Sequence, residues 1–438
     1  MTLDQTSALR PVAVGPLDAA RICAAWAQSG LADDYVAYER PSGFVFAGGV
    51  RARIILSATE ITMDIAGDRT RTQYGGTPAQ ALQTALGTIE GTWTAYGWVG
   101  FEFTSHLRRE DRSDGVLGEL VVPEFEAVIA PDGTITATGI EPEILLTHAR
   151  GALAAPVRDT IALDVGDDPD DYRGRVAKAV AEITRGDYLK VILSRRVPVP
   201  FPVDLPASYA AGRRANTPAR SFLFRLSGFE AAGFSPEIVG QVDAQRSVTT
   251  EPLAGTRALH MDGADARALR EELQSDPKEI VEHAVSVRLS CEEVRAVAKP
   301  GTTVVTEFMA VRERGSVQHL ASTVRGELLD GVGAWRALDV LFPAVTASGI
   351  PKEPAVRAIT RLEPVARGLY SGAVVVAGSD GTLDAALVLR AAYAHDGKAW
   401  LQAGAGIVGQ SDPDREFEET REKLSSVAPH LVRKEADS

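Results

Sequence analysis

Leu120–Val121–Val122–Pro123–Glu124–Phe125–Glu126–Ala127–Val128–Ile129 leads through Ala130–Pro131–Asp132–Gly133–Thr134 into Ile135–Thr136–Ala137–Thr138–Gly139–Ile140. The outer runs are rich in β-branched and apolar residues, as strands are. Between them Pro131 presets φ, Asp132 can bond its own backbone, and Gly133 accepts a left-handed conformation, so the chain turns there. The reading is a strand over 120–129 paired, through this turn, with a strand over 135–140. Upstream, residues 35–38, 43–47, 51–57, 61–65 and 98–103 read as further short strands. Downstream, Asp164, Asp167, Asp168, Asp170 and Asp171 crowd together. They read as the N-terminus of a helix with Pro169 near its first turn, in preference to a cation site. Val176, Val180 and Ile183 continue that helix as an apolar stripe. Strands follow over 188–199, 221–226, 303–312, 316–325, 373–377, 383–393 and 399–403. Helices are expected over 264–273, 277–298, 334–341 and 413–431. Hairpins in series with helices set apart imply an α+β fold, not a regular βαβ array.

The chain has 438 residues, 45% hydrophobic and 24% charged, which excludes wholesale disorder. At about 150 residues per domain, that length alone suggests two or three domains. Lys plus Arg is 46 and Asp plus Glu 59, a net charge of −13. Nucleic-acid binding and docking to anionic membranes are therefore poor fits. Basic residues come as pairs, Arg108–Arg109, Arg195–Arg196 and Arg213–Arg214, and never as a long run. An anionic ligand would need local positive charge or a metal. Cys23 and Cys291 stand far apart, so neither a disulfide framework nor a zinc-cysteine site is expected. The first twenty or so residues lack a secretory pattern, and no apolar run is long enough to span a membrane. A cytoplasmic protein is expected.

Two segments share a pattern. Ser275–Asp276–Pro277 precedes Glu279 and Glu282, and Ser411–Asp412–Pro413 precedes Glu416 and Glu419. Asp before Pro suits a helix N-cap. Each glutamate pair is three apart and flanks an apolar stripe, so its members are neighbours on the helix. Adjacent carboxylates repel unless a cation joins them or one is protonated. Two such pairs could supply oxygens to Mg²⁺; capping or solvated carboxylates are the alternative. His283 invites a Glu/His di-iron reading, but Thr420 stands where a second histidine is needed. Gly404–Ala405–Gly406–Ile407–Val408–Gly409 matches G-x-G-x-x-G without a following βαβ unit. Its glycines read as sites of close backbone approach. Lys190 sits in the apolar run Tyr188–Leu189–Lys190–Val191–Ile192–Leu193–Ser194–Arg195. It is either a buried base with a depressed pKa or an edge-strand lysine reaching solvent.

Seven blocks in order resemble the chorismate-utilising enzymes: Lys190–Arg195, Gly233–Glu237, Glu251–Arg257, Lys278–His283, Phe342–Lys352, Gly368–Ala373 and Arg415–Thr420. The resemblance spans residues 168–431. It is strongest toward the mycobacterial salicylate synthases, with Trp98–Phe103 extending it into the first half. It implies one large domain over residues 1–438, with a divergent strand-rich part over 1–165 and the motif-bearing part over 166–434. The implied fold has two antiparallel sheets sandwiching the active site, with helices outside.

The resemblance also implies roles. Glu279, Glu282, Glu416 and Glu419 fall on Mg²⁺-binding positions. Tyr370, Arg390, Gly404 and Lys423 fall on positions holding the substrate's carboxylates. Leu253, Gly255, Thr256 and His319 line the rest of the pocket. Lys190 would activate water, and Glu237, kept protonated, would be the acid for the departing ring hydroxyl. Ammonia-using members usually carry Gln at the Lys190 position, so Lys argues for water as nucleophile and isochorismate as first product. Ala254 cannot form the lysine adduct of some aminodeoxychorismate synthases. The expected activity is salicylate formation, with siderophore assembly as the end use the resemblance implies. Release of isochorismate is the alternative, and anthranilate or aminodeoxychorismate formation is less favoured. A monomer without an amidotransferase subunit is expected. A non-catalytic chorismate-binding protein is the alternative from another class, against which the complete residue set argues. His260 departs from the small residue expected there.

Overall fold

The computed structural model describes residues 7–8, 15–107, 115–258, 263–314 and 317–435. Arg108–Arg109 and His260 lie outside the described residues. The turn at Pro131 forms as its residues dictate. Phe125–Ile129 pairs antiparallel with Ile135–Thr138, Ile129 facing Ile135. Gly133 N–H donates to the Ala130 carbonyl at 2.9 Å with φ at +83°.

The 120–129 run is not one strand. It divides at Pro123–Glu124 into Gly118–Val122 and Phe125–Ile129, which enter different sheets. Pro123 brings no N–H to a ladder, so the break falls where pairing is weakest. The 383–393 run divides likewise into Leu383–Leu387 and Ala391–His395, again in different sheets. Its crossing places Arg390 at φ +51°. The 98–103 run ends as strand at Val99 and becomes a 3₁₀ turn, Phe101–Leu107.

Among the described residues, one sheet has 11 strands and the other 12, every neighbour pair antiparallel. The first runs from Ser7–Ala8 through Tyr35–Arg40 and Arg220–Leu226 to Lys398–Ile407, Lys190–Val199 and Gly349–Ile350. The second runs from Leu253–Ala258 and Val317–Glu327 through Ala373–Gly378 and Thr94–Val99 to Asp68–Gln73. Val36, Tyr38, Tyr96, Phe222, Phe224, Val374, Val376 and Tyr393 fill the space between them. Helices cover the outer faces. Pro78–Leu86, Pro277–Arg295 and Ala334–Leu341 pack on one. Pro16–Gln28, Pro142–Ala154 and Leu205–Ala215 pack on the other. Tyr172–Arg185, Lys352–Leu362 and Pro413–Leu424 close over the Lys190 strand. The result is a single α+β domain, which corrects the count of two or three suggested by length.

Asp171 caps the Tyr172–Arg185 helix, its carboxylate accepting from Gly174 N–H, while Asp168 accepts from Tyr172 N–H. The acidic stretch is thus a helix start.

Candidate active site

Lys190 opens the Lys190–Val199 strand, covered on one side by Lys398–Ile407 and on the other by Gly349–Ile350. Pairing on both sides removes the edge-lysine reading. The residue is only 6% exposed, and its ammonium donates to Glu282 Oε1 at 2.6 Å. The neighbouring strand makes room: a Cβ on Gly406 would lie 3.1 Å from Lys190 Cε. A Cβ on Gly404 would lie 2.6 Å from the Leu193 carbonyl and 3.0 Å from the Tyr370 hydroxyl. The G-x-G-x-x-G glycines therefore serve close approach within an antiparallel pair, not a nucleotide loop.

Glu282 and Glu279 sit on the Pro277–Arg295 helix. Arg257 gathers Glu279 at 2.9 Å, Glu272 at 2.9 Å and Asp276 at 2.6 Å. Glu416 and Glu419 sit on Pro413–Leu424, whose N-cap Asp412 accepts from the Asp414 and Arg415 N–H groups. Glu416 is buried. Glu419 bonds Lys423 at 2.8 Å, one turn on. Burial pushes the Glu419 carboxyl upward, but Lys423, Arg415 and Lys190 outweigh it and hold the group below the usual range. Lys423 is raised for the reciprocal reason: burial lowers it, and the Glu419 charge more than offsets that. Among the described residues, no three His, Cys, Asp or Glu side chains converge closely enough to hold a metal ion. The donor chemistry still fits Mg²⁺. The four groups are all carboxylates from two helices, and Glu282 bonds the same lysine whose charge reaches Glu419.

Glu237 lies between the strands Phe229–Ser235 and Ile238–Val242 and is 3% exposed. Thr346 Oγ1 donates to its Oε1 at 2.6 Å, and Leu253 N–H donates to its Oε2 at 3.0 Å. Burial raises its carboxyl to about 7, against these donors, which favour the anion. The group is poised between acid and base at neutral pH.

His319 links two other candidates. Its Nδ1 lies 3.2 Å from the Gly255 carbonyl, and its Nε2 lies 2.7 Å from Arg390 Nη2. A guanidinium only donates, so Nε2 accepts and the proton sits on Nδ1. Burial, then Arg390, holds this imidazole well below its ordinary value, consistent with the neutral ring. Arg390 also donates to the Arg314 carbonyl at 2.8 Å. Burial and the nearby Arg314 charge lower Arg390 to about 10. Lys423 donates to the Gly404 carbonyl at 2.9 Å, beside the buried Tyr370. Leu253 and Gly255 lie on the Leu253–Ala258 strand, where Gly255 takes φ +78° at a register shift. Thr256 faces His319 in that register; its side chain lies outside the described residues.

The structure thus gathers Lys190 with Glu282, Glu419 with Lys423 and Gly404, and Arg390 with His319 and Gly255. Glu237 stands against Leu253 N–H. His283 Nε2 bonds Ser322 at 2.7 Å.

Sequence reasoning missed two supports. Thr346 anchors Glu237. Arg367, fully buried, bonds Glu363 at 2.6 Å, the Ile192 carbonyl at 2.7 Å and the Ala347 carbonyl at 2.9 Å. The i,i+4 spacing of Glu363 and Arg367 was the available signal.

The family model for chorismate binding enzymes matches residues 38–429. The chain is 48% identical over 429 residues to a salicylate synthase of Mycolicibacterium paratuberculosis (strain ATCC BAA-968 / K-10), covering 96% of this chain and 95% of that one. It is 42% identical over 268 residues to anthranilate synthase component 1 of Streptomyces coelicolor, covering 60% of this chain and 52% of that one. The anthranilate synthase component I structure from Streptococcus pneumoniae TIGR4 superposes with a TM-score of 0.73 at 26% identity, covering 89% and 93% of the two chains. The isochorismate synthase MenF of Escherichia coli shares the fold, with a TM-score of 0.72 at 22% identity over 98% and 95%.

Proposed function

Because this chain belongs to the chorismate-binding enzymes, we propose that it converts chorismate to isochorismate and then to salicylate and pyruvate. The observation that carries this reading is the near-full-length identity to a salicylate synthase. Lys190, a buried amine-bearing side chain against Glu282, supports water over ammonia as the nucleophile.

Lys190, as the neutral amine, takes a proton from the attacking water as oxygen bonds to the ring carbon beside the carboxylated one. The ring double bonds shift, and the hydroxyl leaves with a proton from Glu237. Burial keeps that proton on Glu237 near neutrality. Thr346 and Leu253 N–H fix the carboxyl's direction. Arg390 and Lys423 hold carboxylates of the substrate, with Tyr370 and the Gly404 backbone beside them. His319, its Nε2 occupied by Arg390, sets the angle of that guanidinium. Leu253, Gly255 and Thr256 line the ring. Pyruvate then leaves by hydrogen transfer within isochorismate, a step that asks no proton of Glu237.

Glu282 and Glu419, supported by Glu279 and Glu416, would hold Mg²⁺. When bound, Mg²⁺ supplies positive charge that orients a substrate carboxylate and stabilises charge developing on it. Removing divalent ions with a chelator should abolish turnover, and Mg²⁺ should restore it. Calorimetry should show Mg²⁺ and salicylate strengthening each other's binding; no linkage would return the glutamates to a structural role.

The deciding test is incubation with chorismate and Mg²⁺. Salicylate and pyruvate in equal amounts are expected. Isochorismate alone would make the protein an isochorismate synthase, and ammonia-dependent anthranilate would overturn the role of Lys190.

A further inference from the structure

Glu237 meets a second space. A small cavity of about 10 Å³, enough for one water, opens beside Glu237, and its polar lining is Thr250, Glu251, Ser290, Glu293 and Thr346. Ser290 and Glu293 belong to the Pro277–Arg295 helix, two to three turns beyond Glu282. Eight and eleven residues at about 1.5 Å each put them roughly 12–16 Å along the helix from the proposed metal ligands. The cavity therefore reaches Glu237 away from the carboxylate cluster. At its edge Glu293 pairs with Lys352 at 2.5 Å, both side chains partly exposed at 20% and 18%. The Glu251 charge also acts on Glu237.

The reaction creates a need for such a space. Each turnover leaves Glu237 as a carboxylate and Lys190 with an extra proton. Substrate fills the front of Glu237 through both steps, and Glu237 is buried on its remaining sides. A polar space with room for water can carry a proton between buried groups and solvent. Resting on the salicylate-forming reading, we propose that this cavity is the proton-return path of Glu237. The bond account closes without a further reactant. Glu237 O–H breaks as the departing hydroxyl becomes water. A cavity water then gives its proton to the carboxylate and is reprotonated from solvent past Glu251 and the Glu293–Lys352 pair, while Lys190 releases to solvent, as product departs, the proton it took from the attacking water. The charged groups facing Glu237 are Glu251, Arg390 and Arg314, none of which needs to change state.

The test fills or neutralises the path without touching substrate. Ser290→Val narrows the cavity, and Glu251→Gln, at a partly exposed position, removes the charge that orients the cavity water at little risk to folding. Both are assayed with Mg²⁺ on chorismate and, separately, on isochorismate. Chorismate turnover should fall about tenfold with unchanged KM and a larger solvent deuterium isotope effect. Conversion of supplied isochorismate to salicylate should stay at the wild-type rate, which also reports folding. Equal loss on both substrates, or wild-type turnover of chorismate by both variants, overturns the path. Failure of the wild-type protein to make salicylate from either substrate overturns the functional reading itself, so the two failures are distinct.

Discussion

Glu237 carries a proton at a pH where an ordinary glutamic acid has lost it. Burial raises its carboxyl from 4.5 to about 7. The folded protein therefore favours the protonated form. That contribution to stability is fully present below pH 4.5 and is lost as pH rises through about 7. Glu237→Gln should be more stable than wild type at pH 8 and about equal at pH 5, read from thermal midpoints. It should also lose about 10²-fold or more in chorismate turnover, because the amide cannot donate an acidic proton. In the wild type, the first step should fall as pH rises above about 7. A rate flat from pH 6 to 9 would show that another group is the acid. Lys190 bears on the other end of the same step. Lys190→Ala should lower water addition by at least about 10²-fold while supplied isochorismate is still converted. Wild-type turnover by this variant would remove Lys190 as base.

At the scale of elements, the site depends on how closely two strands approach. Gly406 has an ordinary φ, and an added methyl would press on the flexible end of Lys190, not on backbone. Gly406→Ala should keep the wild-type thermal midpoint and lose about tenfold to 10²-fold in turnover, since small misplacement of a reacting group is costly. Unchanged turnover would show that Lys190 tolerates a different path. Gly404 differs, because its Cβ would meet the Leu193 carbonyl at 2.6 Å. The strands and the glutamate helices were legible because turn residues and apolar periodicity are local. The 334–341 helix is read to the residue. The sheet crossings at Pro123 and at Arg390 were not legible, because which sheet a strand joins is settled by partners far along the chain. The helices Pro16–Gln28 and Pro142–Ala154 were missed because Gly15 and Glu141, which cap neither, stand before the opening proline in place of the Asp that marked Pro277 and Pro413, and Pro78–Leu86 was missed although Thr77 and Gln80 form a capping box. At the site, Lys190 stayed ambiguous until Gly349–Ile350 covered it from about 160 residues away.

At the scale of the molecule, the charge of −13 and an anionic substrate are compatible because cations stand at the proposed pocket and its acids are paired with them. Lys190, Arg390 and Lys423 lie inside the proposed pocket, with Arg314 beside Arg390. Glu279, Glu282 and Glu419 are each bonded to a cationic side chain. The same interior explains why the first 165 residues belong to the catalytic body. Thr94–Val99 pairs with Ala373–Gly378 on one side and Gly118–Val122 on the other. Tyr35–Arg40 lies between Arg220–Leu226 and Gly43–Gly48. Deleting residues 1–165 would turn two central strands into edges and bare Phe222, Phe224, Val374 and Val376, all now buried. Exposed apolar edges of that kind recruit other chains. A fragment of residues 166–438 should therefore aggregate or lack a cooperative thermal transition. The full chain should unfold in one transition followed alike by far-ultraviolet circular dichroism and tryptophan fluorescence, with Trp26 and Trp98 on one side of the cut and Trp335 and Trp400 on the other. A soluble fragment with its own sharp melt, or separate transitions in the full chain, would mean that the motif-bearing part folds alone and the first part is an accessory.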